Sequence, residues 1–263
     1  MMMHLISYAD RQHLLITRDV TQIEKLETTR RDFVANVSHE LRTPLTVLAG
    51  FLETLREMPD DALSVEQREH YLGLMHEQAL RIQALVEDLL TLSTLESSPG
   101  GDQHEIALSA LINHARKQTE ALSAGRHRFQ WNIDDTLEIQ GVEAELSPAI
   151  SNLLTNAVRY NPEGGTITVD WAHLPEGGAS YSVRDTGIGI AERNLSRLSE
   201  RFYRIDRGRS RAVGGTVLGL AITKHIAMRH DAELQIHSEL GKGSVFALQF
   251  PESRIVHSRA DTP

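Results

Sequence analysis

The stretch FVANVSHELRTPL, from Phe33 to Leu45, places a histidine and a glutamate side by side within a predicted helix. Apolar residues recur through and beyond it at steps of three and four, which is the pattern of one buried stripe on a long helix. These residues are Val34, Val37, Leu41, Leu45, Leu48, Leu52 and Leu55. A heptad drawn through the stripe puts His39 on the outward face and Glu40 on the flank. Thr43 lies one turn beyond His39 on the same face.

A second apolar stripe follows the break MPDDALS and predicts a second long helix. Its members are Leu72, Met75, Ala79, Ile82, Val86 and Leu89. Thr21 with Glu24 and Ser64 with Gln67 match capping boxes, so we expect the helices to begin near Thr21 and Ser64. Two amphipathic helices around a short break predict an antiparallel helical hairpin. Such a hairpin buries only one seam, which favours pairing with a second copy into a dimeric four-helix bundle.

His39 faces water in this arrangement and gains nothing from packing. A lone surface histidine without a role is therefore one interpretation. A zinc site of the HExxH type is excluded because position 43 is Thr rather than His. Pro44 removes the N–H that would bond the carbonyl of Glu40, so we expect the helix to bend there. A bent helix suits a segment that has to bring His39 to a reacting phosphate.

The chain changes character beyond SSPGGD, a linker by composition from Ser97 to Asp102. Helices are predicted over about 109–124 and 143–160. Short strands are predicted over about 129–133, 137–140, 166–171, 180–184, 233–238 and 244–250, with an earlier one at 14–17. Strands and helices mixed in this way predict a two-layer α/β sandwich on one sheet.

The composition excludes several classes of protein. A net charge of -9 argues against a nucleic-acid groove, which requires clustered Lys and Arg. The absence of cysteine excludes disulfides and thiolate zinc sites. No apolar run approaches the roughly 20 residues that cross a bilayer. The first residues also lack the apolar core of a signal peptide, so we expect a soluble cytoplasmic chain.

Four further stretches follow FVANVSHELRTPL in a fixed order along the chain. They are ISNLLTNAVRYN (Ile150 to Asn161), DTGIGI (Asp185 to Ile190), ERFYRID (Glu200 to Asp206) and GGTVLGLAITKH (Gly214 to His225). Together the five stretches resemble the H, N, G1, F and G2 boxes of the bacterial two-component sensor histidine kinases. The resemblance spans Thr28 to Phe250. It implies the fold of that family, in which a dimeric helical hairpin precedes an ATP-binding sandwich of the histidine-kinase/chaperone type.

The resemblance also implies a domain order. Residues 28–97 match the dimerisation and phosphotransfer hairpin, 98–103 a linker, and 104–252 the catalytic ATP-binding domain. Residues 1–27 resemble the end of a PAS-like sensor domain and the start of a signalling helix, and 253–263 form a tail. A full-length parent would sit in the inner membrane through a segment absent here, with this part facing the cytoplasm.

Three residues of the H box receive catalytic roles from the resemblance. His39 matches the nucleophile that accepts the γ-phosphoryl group of ATP, which requires a neutral ring nitrogen facing solvent. Glu40 matches the acceptor of the proton or hydrogen bond at the other ring nitrogen. Thr43 matches the position that orients a water when phosphoryl is removed from the partner. The alternatives are an ordinary flank charge for Glu40 and a surface threonine for Thr43.

The resemblance implies a site for ATP and Mg2+ as well. No GxxxxGK[ST] loop occurs, so magnesium, basic side chains and backbone amides must hold the phosphates. Asn156 matches the family's magnesium ligand, and Asp185 matches the acceptor of the adenine amino group. The other residues implied to bind the nucleotide are Asn152, Arg159, Tyr160, Gly187, Gly189, Phe202, Arg204, Gly215, Thr216, Leu218 and Gly219. A packing amide at Asn152, a core tyrosine at Tyr160 and simple turns at the glycines are the alternatives.

The segment from Glu192 to Thr216 is expected to form a lid over the nucleotide, and it is rich in arginine. Val217 departs from the family pattern, which has a glycine beside the point where phosphates meet a helix N-terminus. A β-branched side chain resists positive φ and adds bulk there. This departure predicts weakened ATP binding.

Three functions remain open at this stage. The first is a homodimeric, ATP-dependent histidine kinase that passes phosphoryl from His39 to an aspartate of a response-regulator receiver domain, and that also dephosphorylates it. The second is a signalling module whose ATP site is impaired by Val217 and which acts as a partner-binding phosphatase. The third is a conformational ATPase of the same sandwich fold, against which the His39 hairpin argues.

Overall fold

The computed structural model describes residues 2–7, 13–19, 21–59, 63–98, 100–205 and 217–256. The chain divides into two compact units, Met1–Ile82 and Gln83–Pro263, and the division falls within a long helix. No helix among the described residues is long and apolar enough to cross a membrane.

The first unit begins with two strands and continues into the hairpin. Strands β1 (Met2–Ser7) and β2 (His13–Arg18) pair antiparallel, which confirms the strand predicted at 14–17. Helix α1 spans Thr21–Glu57, and α2 spans Val65–Ser97. The part of α2 after Ile82 belongs to the second unit. The predicted helix starts are therefore confirmed.

The caps of the two helices differ from each other. Ser64 and Gln67 form the predicted reciprocal box: the Ser64 N–H donates to the Gln67 side chain, and the Gln67 N–H donates to Ser64 Oγ at 3.2 Å. At α1 the Thr21 N–H donates instead to Asp19 Oδ1 at 2.9 Å. Asp19 is therefore the side chain that caps α1, since its carboxylate lies just before the first turn and accepts this N–H.

The antiparallel arrangement of the hairpin is confirmed by contacts within the first unit. The rings of Phe51 and Tyr71 lie 5.6 Å apart between centroids, and Glu40 pairs with Arg81 at 3.8 Å. The contacting residues step backwards along α1 as they step forwards along α2. Helix α1 runs without interruption through Pro44, which is buried.

Much of the predicted apolar stripe is exposed in a single chain. Val34, Leu45 and Leu52 are more than half exposed, and Leu72 of the second stripe is 50% exposed. Val37, Leu41, Leu48 and Leu55 are half-buried. An exposed apolar surface of this length is what a hairpin that pairs with a second copy presents.

The second unit contains a mixed five-stranded sheet in the order β4–β6–β7–β9–β8. Its strands are β4 (Arg128–Ile133), β6 (Thr166–His173), β7 (Ala179–Asp185), β8 (Glu233–Glu239) and β9 (Gly243–Phe250). Only β4 and β6 are parallel. Each of these five strands matches a predicted one to within two residues at either end.

The prediction of a single sheet is wrong for the strand at 137–140. That strand, β5 (Glu138–Gly141), pairs antiparallel with β3 (His104–Ala107) in a separate two-stranded sheet. Strand β3 was not predicted, because its sequence HEIA has one large apolar residue, Ile106, and shows no alternation. Pairing with β3 gives β5 its ladder hydrogen bonds, and β5 is not part of the larger sheet.

Helices cover one face of the larger sheet. Helix α4 (Glu143–Tyr160) packs between α3 (Leu108–Ser123) and α6 (Gly219–Arg229), while a short helix α5 (Glu192–Leu195) lies near β8. Leu153 and Leu154 of α4 are fully buried together with Trp171 and Tyr181 of the sheet. The two-layer α/β sandwich predicted from the sequence is confirmed.

Arg229 fastens the end of α2 to α4 within the second unit. Its guanidinium donates to both carboxylate oxygens of Glu145, at 2.9 and 2.6 Å, and to the carbonyls of Leu95 and Ser98, at 2.9 and 2.8 Å. These carbonyls belong to the last turn of α2 and the residue after it, where a helix leaves acceptors without intrahelical partners. The hydrogen bonds that Arg229 donates to Glu145 raise the pKa of Arg229.

Candidate functional site

The predicted phosphoacceptor turn lies on the surface of α1. His39 is exposed and Glu40 is half-buried, as the heptad predicted. The Thr43 hydroxyl donates to the His39 carbonyl at 3.2 Å, so the two residues are joined one turn apart. Arg81 of α2 pairs with the Glu40 carboxylate, a contact that sequence reasoning missed because it joins residues far apart in the chain. The exposed imidazole is free of packing and accessible to a reactant.

The N-box residues lie on the half-buried flank of α4. Leu153, Leu154, Ala157 and Val158 face the core, which leaves Asn152 and Asn156 one turn apart beside them. Asn152 Nδ2 donates to the Gly219 carbonyl at 3.2 Å, so this amide joins α4 to the first turn of α6. Asn156 is half-buried and presents a neutral amide oxygen, which is a ligand type that magnesium accepts.

Arg159 and Tyr160 end α4. Burial lowers the pKa of the Arg159 guanidinium, while the charge of Asp88 opposes that shift, and the group stays protonated at neutral pH. The Tyr160 carbonyl accepts the Ile188 N–H at 3.2 Å. The end of α4 therefore supports the G1 loop through its backbone.

Asp185 ends strand β7 and is only 6% exposed. Its Oδ1 accepts the Gly187 N–H at 2.7 Å. Burial raises the pKa of Asp185 to about 6, although hydrogen bonds from the backbones of Gly187 and Ser244 act in the opposite direction. A buried carboxylate with remaining acceptor capacity is suited to recognise an amino group.

Two glycines of the G1 box are required by close approach. A Cβ at Gly187 would lie 2.4 Å from the Tyr160 carbonyl oxygen. Gly189 has φ +64°, and a Cβ there would overlap the Glu239 carbonyl. The glycines could serve a simple turn or the binding of a nucleotide. The two interpretations are compatible, since both require the loop to be held against its neighbours.

The F box meets the start of the G2 box through the backbone. The Phe202 N–H donates to the Val217 carbonyl at 3.3 Å, and Phe202 has φ +61°, an uncommon conformation for a bulky residue. Arg204 is half-buried, and Leu218 is fully buried at the entrance to α6. The predicted residues Gly215 and Thr216, and the rest of the lid from residue 206 onward, lie outside the described residues.

A cleft of about 680 Å³ opens beside Asp185, Thr186 and Ser244. Its lining includes neither Asn152 nor Asn156, so it lies on the β8–β9 side of Asp185. The sequence analysis predicted both strands but assigned no site residue to β8, to β9 or to the turn between them. The glycines of GKGS, from Gly241 to Ser244, were the available signal, because glycines flanking a turn indicate close backbone contact.

Two family models match the chain in the order that the boxes predicted. The His Kinase A (phospho-acceptor) domain matches residues 29–98, and the histidine kinase-, DNA gyrase B-, and HSP90-like ATPase matches residues 141–254. The chain belongs to the sensor histidine kinases. These matches confirm the predicted family, and the ATPase domain supports ATP as the ligand.

Curated relatives and solved structures agree with this family assignment. The phosphate regulon sensor protein PhoR of Pseudomonas aeruginosa is 47% identical over 99% of this chain, and that of Haemophilus influenzae is 35% identical over 95%. The chain spans 58% of the length of each. Histidine kinase ThkA, solved in complex with the response regulator protein TrrA, has a TM-score of 0.67 at 20% identity, covering 95% of this chain and 78% of that one. This last likeness shows the fold.

Proposed function

We propose that the chain is an ATP-dependent protein-histidine kinase whose phosphorylated residue is His39. The observation that carries the proposal is an exposed imidazole on a phosphoacceptor hairpin, in one chain with an ATPase domain that ends β7 on a buried carboxylate. An imidazole excluded from water could not reach a triphosphate, and a surface histidine without the second domain would have no donor.

The reaction is a transfer of one phosphoryl group. A neutral ring nitrogen of His39 attacks the γ-phosphorus, the bond to the β,γ-bridging oxygen breaks, and ADP leaves. Glu40 accepts the proton or hydrogen bond at the other ring nitrogen and keeps the tautomer that attacks. Asn156 would hold magnesium, which would neutralise charge on the phosphates.

The base of the nucleotide is assigned to Asp185. An ionised carboxylate accepts a hydrogen bond from the 6-amino group of adenine, whereas the 6-oxo group of guanine would meet it as a second acceptor. Arg159 and Arg204 are assigned to the phosphates because both are half-buried cations. Arg159 lies in the last turn of α4, and Arg204 lies in the F box. Asn152 is assigned to positioning the G2 helix, given its hydrogen bond to Gly219.

The partner is proposed to be a response-regulator receiver domain, which takes the phosphoryl group from His39 on an aspartate. ThkA was solved in complex with a response regulator, and the relatives from Pseudomonas and Haemophilus are named for the phosphate regulon. Phosphate regulation is therefore the proposed pathway. The exposed apolar residues of the hairpin support a homodimer. Attachment of a longer parent protein to the inner membrane stays a prediction.

A second candidate is a partner-binding phosphatase with an impaired ATP site. It is favoured by Val217 at the entrance to α6, and by Thr43 exposed one turn from His39, where a hydroxyl could orient a water. Such a module would remove phosphoryl from the receiver without being labelled by ATP.

One assay separates the two candidates. The chain is incubated with γ-labelled ATP and magnesium, and acid-labile, base-stable label is measured. We expect label on the wild-type chain, and none in His39→Ala or Asn156→Ala. His76→Ala, which removes another exposed histidine of the hairpin, is the matched control and should keep the label. Unlabelled wild-type chain that still dephosphorylates the receiver would favour the second candidate.

A further inference from the structure

Ser238 occupies the end of β8 directly beside the G1 loop. It pairs across the ladder with Ser244, which in turn pairs with Asp185. Strand alternation places these three side chains on the face of the sheet that the helices cover. Ser238 is half-buried, and Ser244 is buried. The hydroxyl of Ser238 therefore lies on the same side of the sheet as the Asp185 carboxylate.

The Ser238 hydroxyl has a complete set of hydrogen-bond partners. Its oxygen accepts the Ile190 N–H at 2.8 Å, and it lies 2.9 Å from both the Gly243 carbonyl and Ser244 Oγ. A hydroxyl has one proton to donate, which goes to the Gly243 carbonyl because a carbonyl can only accept. The Ser244 hydroxyl then donates to Ser238. One side chain thus joins the last residue of the G1 box to the β8–β9 turn.

The G1 loop is held between two supports. On one side the Tyr160 carbonyl accepts the Ile188 N–H. On the other, the Gly241 N–H donates to the Ile188 carbonyl at 2.8 Å, and Ser238 takes the N–H of Ile190. Ser238 is the one side chain among the contacts to Ile188 and Ile190, since the others are made by backbone atoms; earlier in the loop, the Asp185 carboxylate accepts the Gly187 N–H. A substitution can therefore release the loop at that point.

We infer that Ser238 is a positioning residue for nucleotide recognition: it fixes the G1 loop so that Asp185 meets the purine at hydrogen-bonding distance. This inference rests on the proposed function of Asp185. Loss of the hydroxyl leaves the Ile190 N–H without its acceptor and lets the loop move away from the β8–β9 turn. The base loses its fixed partner, whereas His39 on the hairpin is unaffected.

The test compares Ser238→Ala, Ser238→Thr and Ser182→Ala in the full chain. Ser182 is half-buried on the opposite face of the same sheet and serves as the matched control. Binding of ATP and of GTP is measured by calorimetry, and His39 labelling is followed as a function of ATP concentration. Thermal unfolding of each variant without nucleotide checks that it folds.

Ser238→Ala is expected to raise the KM for ATP about tenfold, to change kcat by less than about twofold, and to reduce the preference for ATP over GTP. Ser238→Thr keeps the hydroxyl and should restore the affinity, and Ser182→Ala should match the wild type. Unchanged ATP affinity in Ser238→Ala, alongside a loss in Asp185→Asn, overturns the inference but leaves the proposed function standing. Unchanged affinity in both variants overturns both. A fall in kcat alone, or a failure of Ser238→Thr to rescue the affinity, also overturns it.

Discussion

Asp185 is held in a form that costs folding free energy at neutral pH. Burial raises its pKa from 3.8 to about 6, so the folded chain binds this proton more tightly than the unfolded chain does. The free energy of unfolding therefore falls as the pH rises through this window, and the cost remains above it. A carboxylate retained at such a cost is expected where ligand recognition needs it.

Asp185→Asn is predicted to stabilise the nucleotide-free chain at pH 7.5 by about 1–2 kcal/mol and to abolish ATP binding. The neutral amide removes the desolvation cost, yet it presents an N–H group where the adenine amino group needs an acceptor. Urea unfolding at pH 7.5 and pH 5 measures the first effect, and the gain should shrink at the lower pH.

The control is Asp170→Asn, which changes a half-buried carboxylate that accepts a hydrogen bond from Asn132 on the opposite face of the sheet. It should bring no gain at either pH. Wild-type ATP affinity should also decline as the pH falls below about 6, where Asp185 becomes protonated. An equal gain at both pH values would contradict the assigned cause.

Val217→Gly is predicted to raise ATP affinity. Val217 lies between the F-box contact at Phe202 and the buried Leu218 that opens α6. Removing its branched side chain frees space beside the helix N-terminus, where phosphates bind. Val217 is not among the described residues with a positive φ, so the gain comes from this space and not from relieved backbone strain. Calorimetric titration with ATP measures the change. Equal nucleotide affinity in the two forms would refute the prediction.

At the scale of the elements, Arg229 is the contact that holds three helices together in the second unit. It lies on α6, while its partners belong to α4 and to the end of α2. Glu145 and Arg229 each have about 15% of the side chain exposed, so solvent screens the pair only in part. Removing the guanidinium leaves a carboxylate and two carbonyls without their donor.

Arg229→Ala is therefore predicted to lower the free energy of unfolding by about 1–3 kcal/mol. Arg229→Lys should lose an intermediate amount, because an ammonium group keeps the charge but cannot reproduce the planar fork. Lys242→Ala is the control, since the Lys242–Glu239 pair is largely exposed and should contribute almost nothing. Urea unfolding of the three variants gives the comparison. Equal losses in Arg229→Ala and Lys242→Ala would exclude the proposed role.

The local sequence pattern predicted the longer helices and most strands. Features that depend on contacts between residues distant in sequence could not be predicted in this way. Steps of three and four predicted α1 and α2, and the Ser64–Gln67 box predicted where α2 begins. Strand β3 escaped because its pairing with β5 gives four residues their conformation. The roles of Asp185 and Asn156 came from the resemblance to a family, whereas the hydrogen bonds of Ser238 required coordinates.

At the scale of the whole molecule, the exposed stripe of the hairpin predicts the oligomeric state. Leu52→Glu is expected to weaken a homodimer at least tenfold, by roughly 1.5–3 kcal/mol for each leucine kept out of the interface. Leu52 is 54% exposed in one chain, so the substitution should leave the fold of the single hairpin intact. Sedimentation equilibrium measures the dissociation constant.

Glu53→Lys is the matched control for this experiment. Glu53 neighbours Leu52 on α1 but lies outside the apolar stripe, and it is exposed. The substitution changes the charge by more than Leu52→Glu does, yet the dimer should persist. A dimer that survives Leu52→Glu, or that is lost in Glu53→Lys, would refute the stripe as the interface.

The hydrogen bonds of Arg229 also bear on how a signal passes from the end of α2 to α4. The covalent path from α2 to the ATP-binding domain runs through SSPGGD, from Ser97 to Asp102. The guanidinium provides a second, shorter path from the last turn of α2 to the first turn of α4, the helix that carries Asn152 and Asn156. A rotation of α2 about its own axis must carry α4 along or break these hydrogen bonds. Arg229 therefore helps to set the angular phase between the end of α2 and α4, together with the Arg201–Glu96 pair and the buried Leu92 and Leu95.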